Sequence, residues 1–196
     1  RGGIWIWGGS DYNIYERMYI TDVDYGIGFT DNQEEDGNDI NIGDNNLIRN
    51  CIIRNSTYGI FTSSDSGASP MSDNRIINCV FDNNDYMYRN SNSGTIIITN
   101  LEVINSQILN TSLEAHVGSL NDIDFSYCNF YNSFTTPPGT GNISVNPQLD
   151  SNYKPTANTP TAVSEGGQTI TDVHFDYDGK KRETPNSIGA FNKFAA

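Results

Sequence analysis

The chain has 196 residues, and its 24 Asp and Glu outnumber its 11 Lys and Arg, which gives a formal net charge of −13. A surface of this sign repels the phosphate backbone of nucleic acids, and no apolar run is long enough to span a bilayer. Hydrophobic residues reach 36%, with much Ile, Tyr and Phe, so the composition favours a β-rich domain over disorder. The chain starts at Arg1, and we expect further sequence to precede it.

The first predicted element is a strand, Ile4-Trp5-Ile6-Trp7. Side chains alternate between the two faces of a strand, so both Ile lie on one face and both Trp on the other. If the Ile residues point into a core, the indoles face outward, where they either pack under other parts of the protein or stack on sugars. Trp5 and Trp7 are therefore predicted carbohydrate-binding residues.

An acidic stretch follows from Asp31 to Asn46. It carries Asp36, Asp39 and Asp44 close to two glycines, and carboxylate oxygens on a flexible backbone are ligands that Ca²⁺ prefers. The spacing differs from that of an EF-hand loop, and a solvated acidic loop is the alternative interpretation. The metal-site prediction is Ca²⁺ at Asp36, Asp39 and Asp44.

One six-residue pattern recurs along most of the chain, most clearly at residues 50–55 and 78–83. The second residue of each copy serves as a marker, and the markers are 33, 28, 22 and 27 residues apart: Met18, Cys51, Cys79, Leu101 and Cys128. Apolar residues stand three positions before and two positions after every marker. Such a period is typical of one coil of a β-solenoid, and the alternation of a strand places the marker and the residue two later in the interior.

A polar column accompanies the markers. Four residues after each marker stand Asp22, Asn55, Asn83, Asn105 and Asn132. Asn and Asp tolerate left-handed backbone and bond to nearby peptide groups. Stacked on successive coils, they are expected to form a ladder of side-chain amides near the strand spacing of about 4.8 Å.

The pattern Asn-Cys-x-Phe-x-Asn at residues 78–83 resembles the pectate-lyase-like superfamily of right-handed parallel β-helices, and the resemblance covers residues 1–134. The predicted fold is all-β, a right-handed parallel β-helix of about five or six coils with an irregular C-terminal cap. We interpret residues 1–134 as the C-terminal part of a longer helix. The superfamily includes lyases, glycosidases, adhesins and phage tailspikes, so the resemblance leaves the function open.

Tyr19 and Tyr131 occupy outward positions in the repeat alignment, and we add them to the predicted carbohydrate-binding residues. The three Cys share one interior column, where we expect free, buried thiols. His116 and His174 stand alone in sequence, and no group of carboxylates matches a glycosidase signature. No catalytic residue is predicted in this stretch.

The composition changes after Phe134, and residues 135–196 lose the repeat. We predict that they cap the open end of the helix, with Ile188 and Phe191 buried. The run from Asp176 to Arg182 and the following Ser187-Ile188-Gly189-Ala190-Phe191 resemble the choice-of-anchor Q domain of secreted bacterial β-helix proteins. That resemblance implies export and a cell-surface location. Asp176 and Asp178 also offer oxygens to Ca²⁺, although Asp-x-Asp-Gly is equally an ordinary turn.

These observations favour a secreted or cell-surface β-helix module that binds glycans and has no catalytic site of its own in this stretch. One alternative is the C-terminal part of a polysaccharide lyase or glycoside hydrolase whose catalytic residues lie upstream. The other alternative is a phage tailspike or a structural surface adhesin, in which case the location would be the virion or a cell surface.

Overall fold

The chain folds as a parallel β-helix, which confirms the predicted fold class. The computed structural model describes residues 1–7, 10–30, 43–63, 71–91, 98–111, 113–115, 123–135, 139–171, 173–184 and 186–192. These residues form five coils, each of which contributes one strand to each of three parallel sheets.

The strands follow one another along the chain, coil by coil. The first coil holds β1 (Gly2–Trp7), β2 (Ile14–Glu16) and β3 (Tyr19–Thr21), and the second holds β4 (Tyr25–Thr30), β5 (Leu47–Arg49) and β6 (Ile52–Arg54). The third holds β7 (Tyr58–Ser63), β8 (Met71–Ser72), β9 (Arg75–Ile77) and β10 (Val80–Asp82). The fourth holds β11 (Tyr86–Asn90), β12 (Ile98–Thr99), β13 (Leu101–Ile104) and β14 (Gln107–Leu109), and the fifth holds β15 (Leu113–Ala115), β16 (Ile123–Ser126) and β17 (Asn129–Tyr131).

Three sheets run the length of the helix. Sheet 1 has the order β1-β4-β7-β11-β15, sheet 2 the order β2-β5-β9-β13-β16, and sheet 3 the order β3-β6-β10-β14-β17. Neighbouring strands are parallel throughout, and β8 pairs with β12 in a small fourth sheet. Every sheet therefore stacks residues of equivalent position from coil to coil.

Apolar side chains from every coil fill the interior. In β1, Ile4 and Ile6 are buried in the core, and Trp5 and Trp7 lie on the outer face, as the alternation predicted. The inward column of sheet 3 consists of Ile20, Ile53, Phe81, Ile108 and Phe130. The inward column of sheet 2 consists of Tyr15, Ile48, Ile76, Val103 and Phe125.

Left-handed residues turn the chain at five-residue intervals around sheets 2 and 3. Their φ angles lie between 50° and 58°, and most of them are Asn or Asp: Tyr12, Arg17, Asp22, Asn45, Asn50, Asn55, Asp73, Asn78, Asn83, Asn100, Asn105, Asn110, Tyr127 and Asn132. Asn and Asp reach this conformation at low cost because their short polar side chains bond locally. The recurrent asparagines of the sequence are thus the corners of the coil.

The repeat alignment was correct in four coils and wrong in the fourth. Cys51, Cys79 and Cys128 share one fully buried column, as predicted, but the strand register places Ser106 in that column, while Leu101 is the first residue of β13 and pairs with Ile123 in sheet 2. The asparagine that continues the outer ladder is likewise Asn110 rather than Asn105. The cause is that corner residues recur every five residues within a coil. The repeat alignment started the fourth copy at the corner Asn100, whereas the equivalent corner is Asn105.

The outer side-chain amides form a ladder, in which Asn110 takes the place predicted for Asn105. Asn83 Nδ2 donates to Asn55 Oδ1 at 2.9 Å, and Asn132 Nδ2 donates to Asn110 Oδ1 at 2.7 Å. A second ladder, which the sequence did not predict, runs inside the helix, where Asn46 Nδ2 donates to Asn74 Oδ1 at 3.1 Å. Both Asn46 and Asn74 are buried.

The last coil is capped by the residues that follow it. Ile143 N donates to Cys128 O and Phe130 N donates to Ile143 O, both at 2.9 Å, and Asn142 Oδ1 accepts from Cys128 N at 3.0 Å. Asn142 thereby continues an inward hydrogen-bonding position of the coils beyond the edge of β17. Residues 139–145 therefore cover the end of the helix, in agreement with the predicted cap.

The rest of the C-terminal segment takes a different path from the one predicted. Ile188 and Phe191 are buried, as expected, but Phe191 packs on Ile52 and Val80, which point outward from sheet 3. The segment lies along the side of the helix, and it also covers the outer face of sheet 2 through Ile170. It contains one short helix, α1 (Thr161–Ser164), and within the described ranges no helix is long and apolar enough to span a membrane.

Candidate functional site

The two tryptophans of β1 face outward but do not form a flat platform. The Trp5 ring lies over Gly28, where any Cβ would come within 2.9 Å of it, and it packs edge-on against Tyr25 and Phe61. The Trp7 ring is 50% exposed, and its plane is tilted by 50° from that of Trp5. Of the two tryptophans, Trp7 is the more accessible to a ligand.

A stack of tyrosines continues this outer face of sheet 1. The rings of Tyr25 and Tyr58 are 5.8 Å apart and those of Tyr58 and Tyr86 are 5.4 Å apart, with nearly parallel planes. The guanidinium of Arg89 lies 5.0 Å from the Tyr58 ring. Because the tyrosine faces are covered by one another, this column stabilises the sheet and leaves mainly ring edges for a ligand.

A cleft opens on the outer face of sheet 3, between the first two coils and the C-terminal segment. Its volume is about 270 Å³. Four aromatic residues and one isoleucine provide most of its apolar surface, and polar side chains form its rim: Tyr19, Ile52, Ser151, Asn152, Tyr153, Lys154, Tyr177, Asp178 and Phe191. Tyr19, predicted from its outward position, is 52% exposed here.

Two similar turns of the C-terminal segment shape this cleft. In the first, Asp150 Oδ1 accepts from Asn152 N at 2.8 Å and from Lys154 N at 2.9 Å. In the second, Asp176 Oδ1 accepts from Lys180 N at 2.8 Å. Each turn has a left-handed residue three positions after its Asp, Tyr153 with φ 64° and Gly179 with φ 77°.

The aromatic walls are held by their own contacts. Tyr153 donates its hydroxyl to Asp82 Oδ2 at 2.6 Å, and the Arg54 guanidinium lies 5.7 Å from its ring. Burial, and then the hydrogen bond to Asp82, raise the pKa of Tyr153. The Tyr177 ring lies 5.2 Å from that of Phe191. Tyr153 and Tyr177 are therefore held in place by contacts within the protein.

An ion pair closes the rim of the cleft. Lys154 Nζ lies 2.6 Å from Asp178 Oδ2 and 5.3 Å from the centre of the Phe191 ring. The hydrogen bond to Asp178 raises the pKa of Lys154. The rim consequently offers donors and acceptors with little net charge.

Tyr131 lies elsewhere on the same sheet. It lines a second cavity of about 280 Å³ near the last coils, together with Asp82, Leu109, Asn110, residues 146–150 and Tyr153. The four predicted carbohydrate-binding residues are thus divided among three places: Trp5 and Trp7 on sheet 1, and Tyr19 and Tyr131 near opposite ends of sheet 3.

The predicted calcium site stays a prediction. Asp36 and Asp39 lie outside the described residues. Asp44 Oδ1 accepts from Ser72 N at 2.7 Å, and Asp44 N donates to Asp11 Oδ1 at 2.8 Å, so this residue links successive coils. Among the described residues, no three His, Cys, Asp or Glu are grouped closely enough to hold a metal ion.

The basic residues of the middle coils contact acidic or aromatic neighbours. Arg49 pairs with Glu16 at 2.6 Å and Arg75 pairs with Glu102 at 3.1 Å. The hydrogen bond to Arg49 is the main cause that lowers the pKa of Glu16. The three Cys are free and buried, as expected.

Sequence reasoning missed the residues that the C-terminal segment adds to the cleft, chiefly Tyr153, Lys154 and Tyr177. A signal was present, because Asp150 to Lys154 and Asp176 to Lys180 share the spacing Asp-x-x-x-Lys, which indicates two equivalent turns. Comparison of the chain with protein-family models, with curated proteins and with solved structures found no match.

Proposed function

We propose that this chain is an extracellular β-helix module that binds glycans, and that the cleft at Tyr19 is its binding site. The observation that carries the proposal is the combination of aromatic walls with a polar, nearly neutral rim in one concave site. Aromatic rings pack on the apolar faces of sugars, and hydroxyl, amide and charged groups at the rim bond the sugar hydroxyls.

Preorganisation supports the same proposal. Tyr153 is held by Asp82, and Tyr177 is held by Phe191, so little side-chain entropy remains to be lost on binding. The extracellular location rests on the resemblance of the C-terminal segment to secreted bacterial proteins. The cleft has no assigned acid, base or metal, and binding without turnover is the activity we propose.

The test is binding of purified protein to a panel of soluble polysaccharides, measured by affinity electrophoresis and by isothermal titration calorimetry. We expect Tyr19→Ala to weaken binding about tenfold, because loss of an aromatic contact costs on the order of 1.4 kcal/mol. Tyr12→Ala is the matched control, since Tyr12 is 77% exposed on the same coil and does not line the cleft.

Two results would count against this function. One is equal affinity of wild type and Tyr19→Ala for every glycan that binds. The other is release of reducing ends or unsaturated products by the purified chain, which would favour the enzyme alternative. If Trp7→Ala, and not Tyr19→Ala, abolishes binding, the site lies on sheet 1 instead.

A further inference from the structure

Two separate cavities lie on the same face of sheet 3, and their spacing bears on the length of a ligand. Tyr19 belongs to β3 in the first coil and Tyr131 to β17 in the fifth. Four coil steps of about 4.8 Å separate these strands, or roughly 19 Å along the helix. One sugar ring cannot contact both tyrosines.

Tyr153 lies between the cavities and lines both of them. Its hydroxyl is fixed by Asp82, which is itself held by a 2.7 Å hydrogen bond from Asn110 Nδ2 to Asp82 Oδ1. Asp82 and Asn110 line the second cavity. A single ring is therefore a common wall of two adjoining compartments.

Each cavity is small. Volumes of about 270 and 280 Å³ lie just below the range of roughly 300 to 1,000 Å³ that encloses a drug-sized ligand. A ligand that occupies one cavity alone would consequently be small, whereas a chain of sugars can place different units in each. The alignment along the helix axis suits a linear chain.

The lining of the second cavity disfavours anionic sugars. Its side chains include three amides, Asn110, Asn146 and Gln148, and two carboxylates, Asp82 and Asp150, with no cation among its lining residues. Amides and carboxylates bond sugar hydroxyls, whereas the carboxylates repel a uronate. In the first cavity the charge of Lys154 is compensated by Asp178.

We propose that the two cavities are subsites of one binding groove for an uncharged oligosaccharide that extends along the outer face of sheet 3. The proposal rests on the proposed function and adds to it the length and the charge class of the ligand. Tyr19 and Tyr177 contact one part of the chain, Tyr131 and Gln148 contact another, and Tyr153 contacts the units between them.

The experiment uses neutral oligosaccharides of two, four and six units derived from cellulose, xylan, mannan and amylose, with oligogalacturonates of the same lengths as charged probes. Calorimetry on the whole chain should show at least about a tenfold gain in affinity from two to six units for a neutral series. Oligogalacturonates should bind more weakly than neutral chains of equal length.

Two variants test the second subsite independently. Tyr131→Ala removes the ring, and Gln148→Gly removes an exposed amide at a position with φ 51°, which glycine adopts easily. Each of these two variants should lose most of the increase in affinity that the wild type shows between oligosaccharides of two and six units. Tyr19→Ala should weaken binding at all lengths, and Tyr12→Ala should leave every affinity unchanged.

The outcomes are separable. Affinity that does not depend on length, an undiminished gain in both variants, or a preference for oligogalacturonates rejects this inference while leaving glycan binding intact. Absence of binding to every probe rejects the proposed function and this inference with it. Retention of the wild-type circular dichroism spectrum by both variants shows that lost affinity reflects the site and not the fold.

Discussion

Single buried residues carry out tasks that their types alone do not reveal. Cys128 is fully buried, and its Sγ lies 3.3 Å from Val103 O and 3.4 Å from Ser126 O, either of which can accept the single thiol proton. Burial raises the pKa of Cys128 from 9.0 to about 12, because a thiolate would lose its hydration. The native state therefore keeps this proton under conditions in which the unfolded chain releases it.

This difference predicts a pH dependence of stability. The contribution of Cys128 is fully present below pH 9 and is lost as the pH rises toward 12, because the native state holds the proton more tightly. Cys128→Ala should lower the free energy of unfolding at pH 7 because packing is lost. Between pH 9 and 11, however, the free energy of unfolding of the variant should fall less steeply than that of the wild type, by up to about 1.4 kcal/mol per pH unit. Urea unfolding at several pH values measures both slopes.

Ser106→Ala is the control, since Ser106 occupies the same inward column and carries no group that titrates in this range. The free energy of unfolding of Ser106→Ala should change with pH between 9 and 11 as steeply as that of the wild type. Parallel slopes for Cys128→Ala and wild type would contradict the raised pKa.

At the scale of elements, the inner amide ladder links strands across coils. Asn74 Oδ1 accepts from Asn46 N at 2.9 Å, and Asn74 Nδ2 donates to Gly43 O at 2.9 Å. Asn46 Oδ1 in turn accepts from Asn13 N at 3.0 Å. The side chains thus satisfy buried backbone groups at a corner where the strand ladder of sheet 2 has not yet begun.

The prediction is that Asn74→Ala destabilises the fold by about 2 to 4 kcal/mol, because a buried amide and a buried carbonyl lose their partners. Asn83→Gly, which removes an exposed side chain of the outer ladder and keeps the left-handed backbone at φ 53° accessible, should cost less than about 1 kcal/mol. Chemical denaturation of the two variants measures the difference. Equal losses would show that burial of the ladder is unimportant to its energy.

The sequence predicted the elements as far as the corner pattern is distinctive. Asn-Cys occurs at residues 50–51 and 78–79, and there the interior column and the ladder were placed correctly. In the fourth coil Ser106 replaces Cys, and Asn100, Asn105 and Asn110 are equally good corners, so spacing alone could not choose among them. Only strand pairing, which is a long-range property, distinguishes these alternatives.

At the scale of the whole molecule, Arg182 fastens the C-terminal segment to the helix. Its Nη2 donates to Asn50 Oδ1 at 2.8 Å, to Ala190 O at 2.9 Å and to Gly189 O at 3.1 Å. Arg182 is buried, and burial lowers its pKa to about 10. Asp176 Oδ2 accepts from Asn192 N at 3.1 Å nearby, so the Asp-x-Asp-Gly-x-x-Arg run has a structural explanation here.

We expect Arg182→Ala to destabilise the docked segment by at least about 2 kcal/mol, because buried carbonyl and amide oxygens lose their donor. Limited proteolysis should then cut within residues 146–192 while the coils remain resistant. Lys181→Ala is the control, since the neighbouring Lys181 is exposed. Simultaneous cleavage throughout the chain would show instead that the coils and the segment unfold as one unit.

Only part of the candidate site could be predicted from the sequence. Tyr19 and Tyr131 were found because alternation decides which strand residues point outward. Tyr153, Lys154 and Tyr177 belong to a segment without periodicity, and its path back along sheet 3 depends on contacts such as Arg182 with Asn50 that no local pattern contains. Seven of the nine residues that line the cleft belong to this segment, so local sequence patterns could not predict most of the site.

The five-residue spacing of the corners has a consequence for how this scaffold tolerates length changes. Corners around sheets 2 and 3 keep the same spacing in successive coils, as at Asn45, Asn50 and Asn55, whereas the number of residues between the end of a sheet 1 strand and the next sheet 2 strand varies. Length differences between successive coils thus fall between the sheet 1 strand and the sheet 2 strand of each coil. Foreign peptides engineered between these strands should leave the corners of sheets 2 and 3, and the spacing of the strand that carries Tyr19, unchanged.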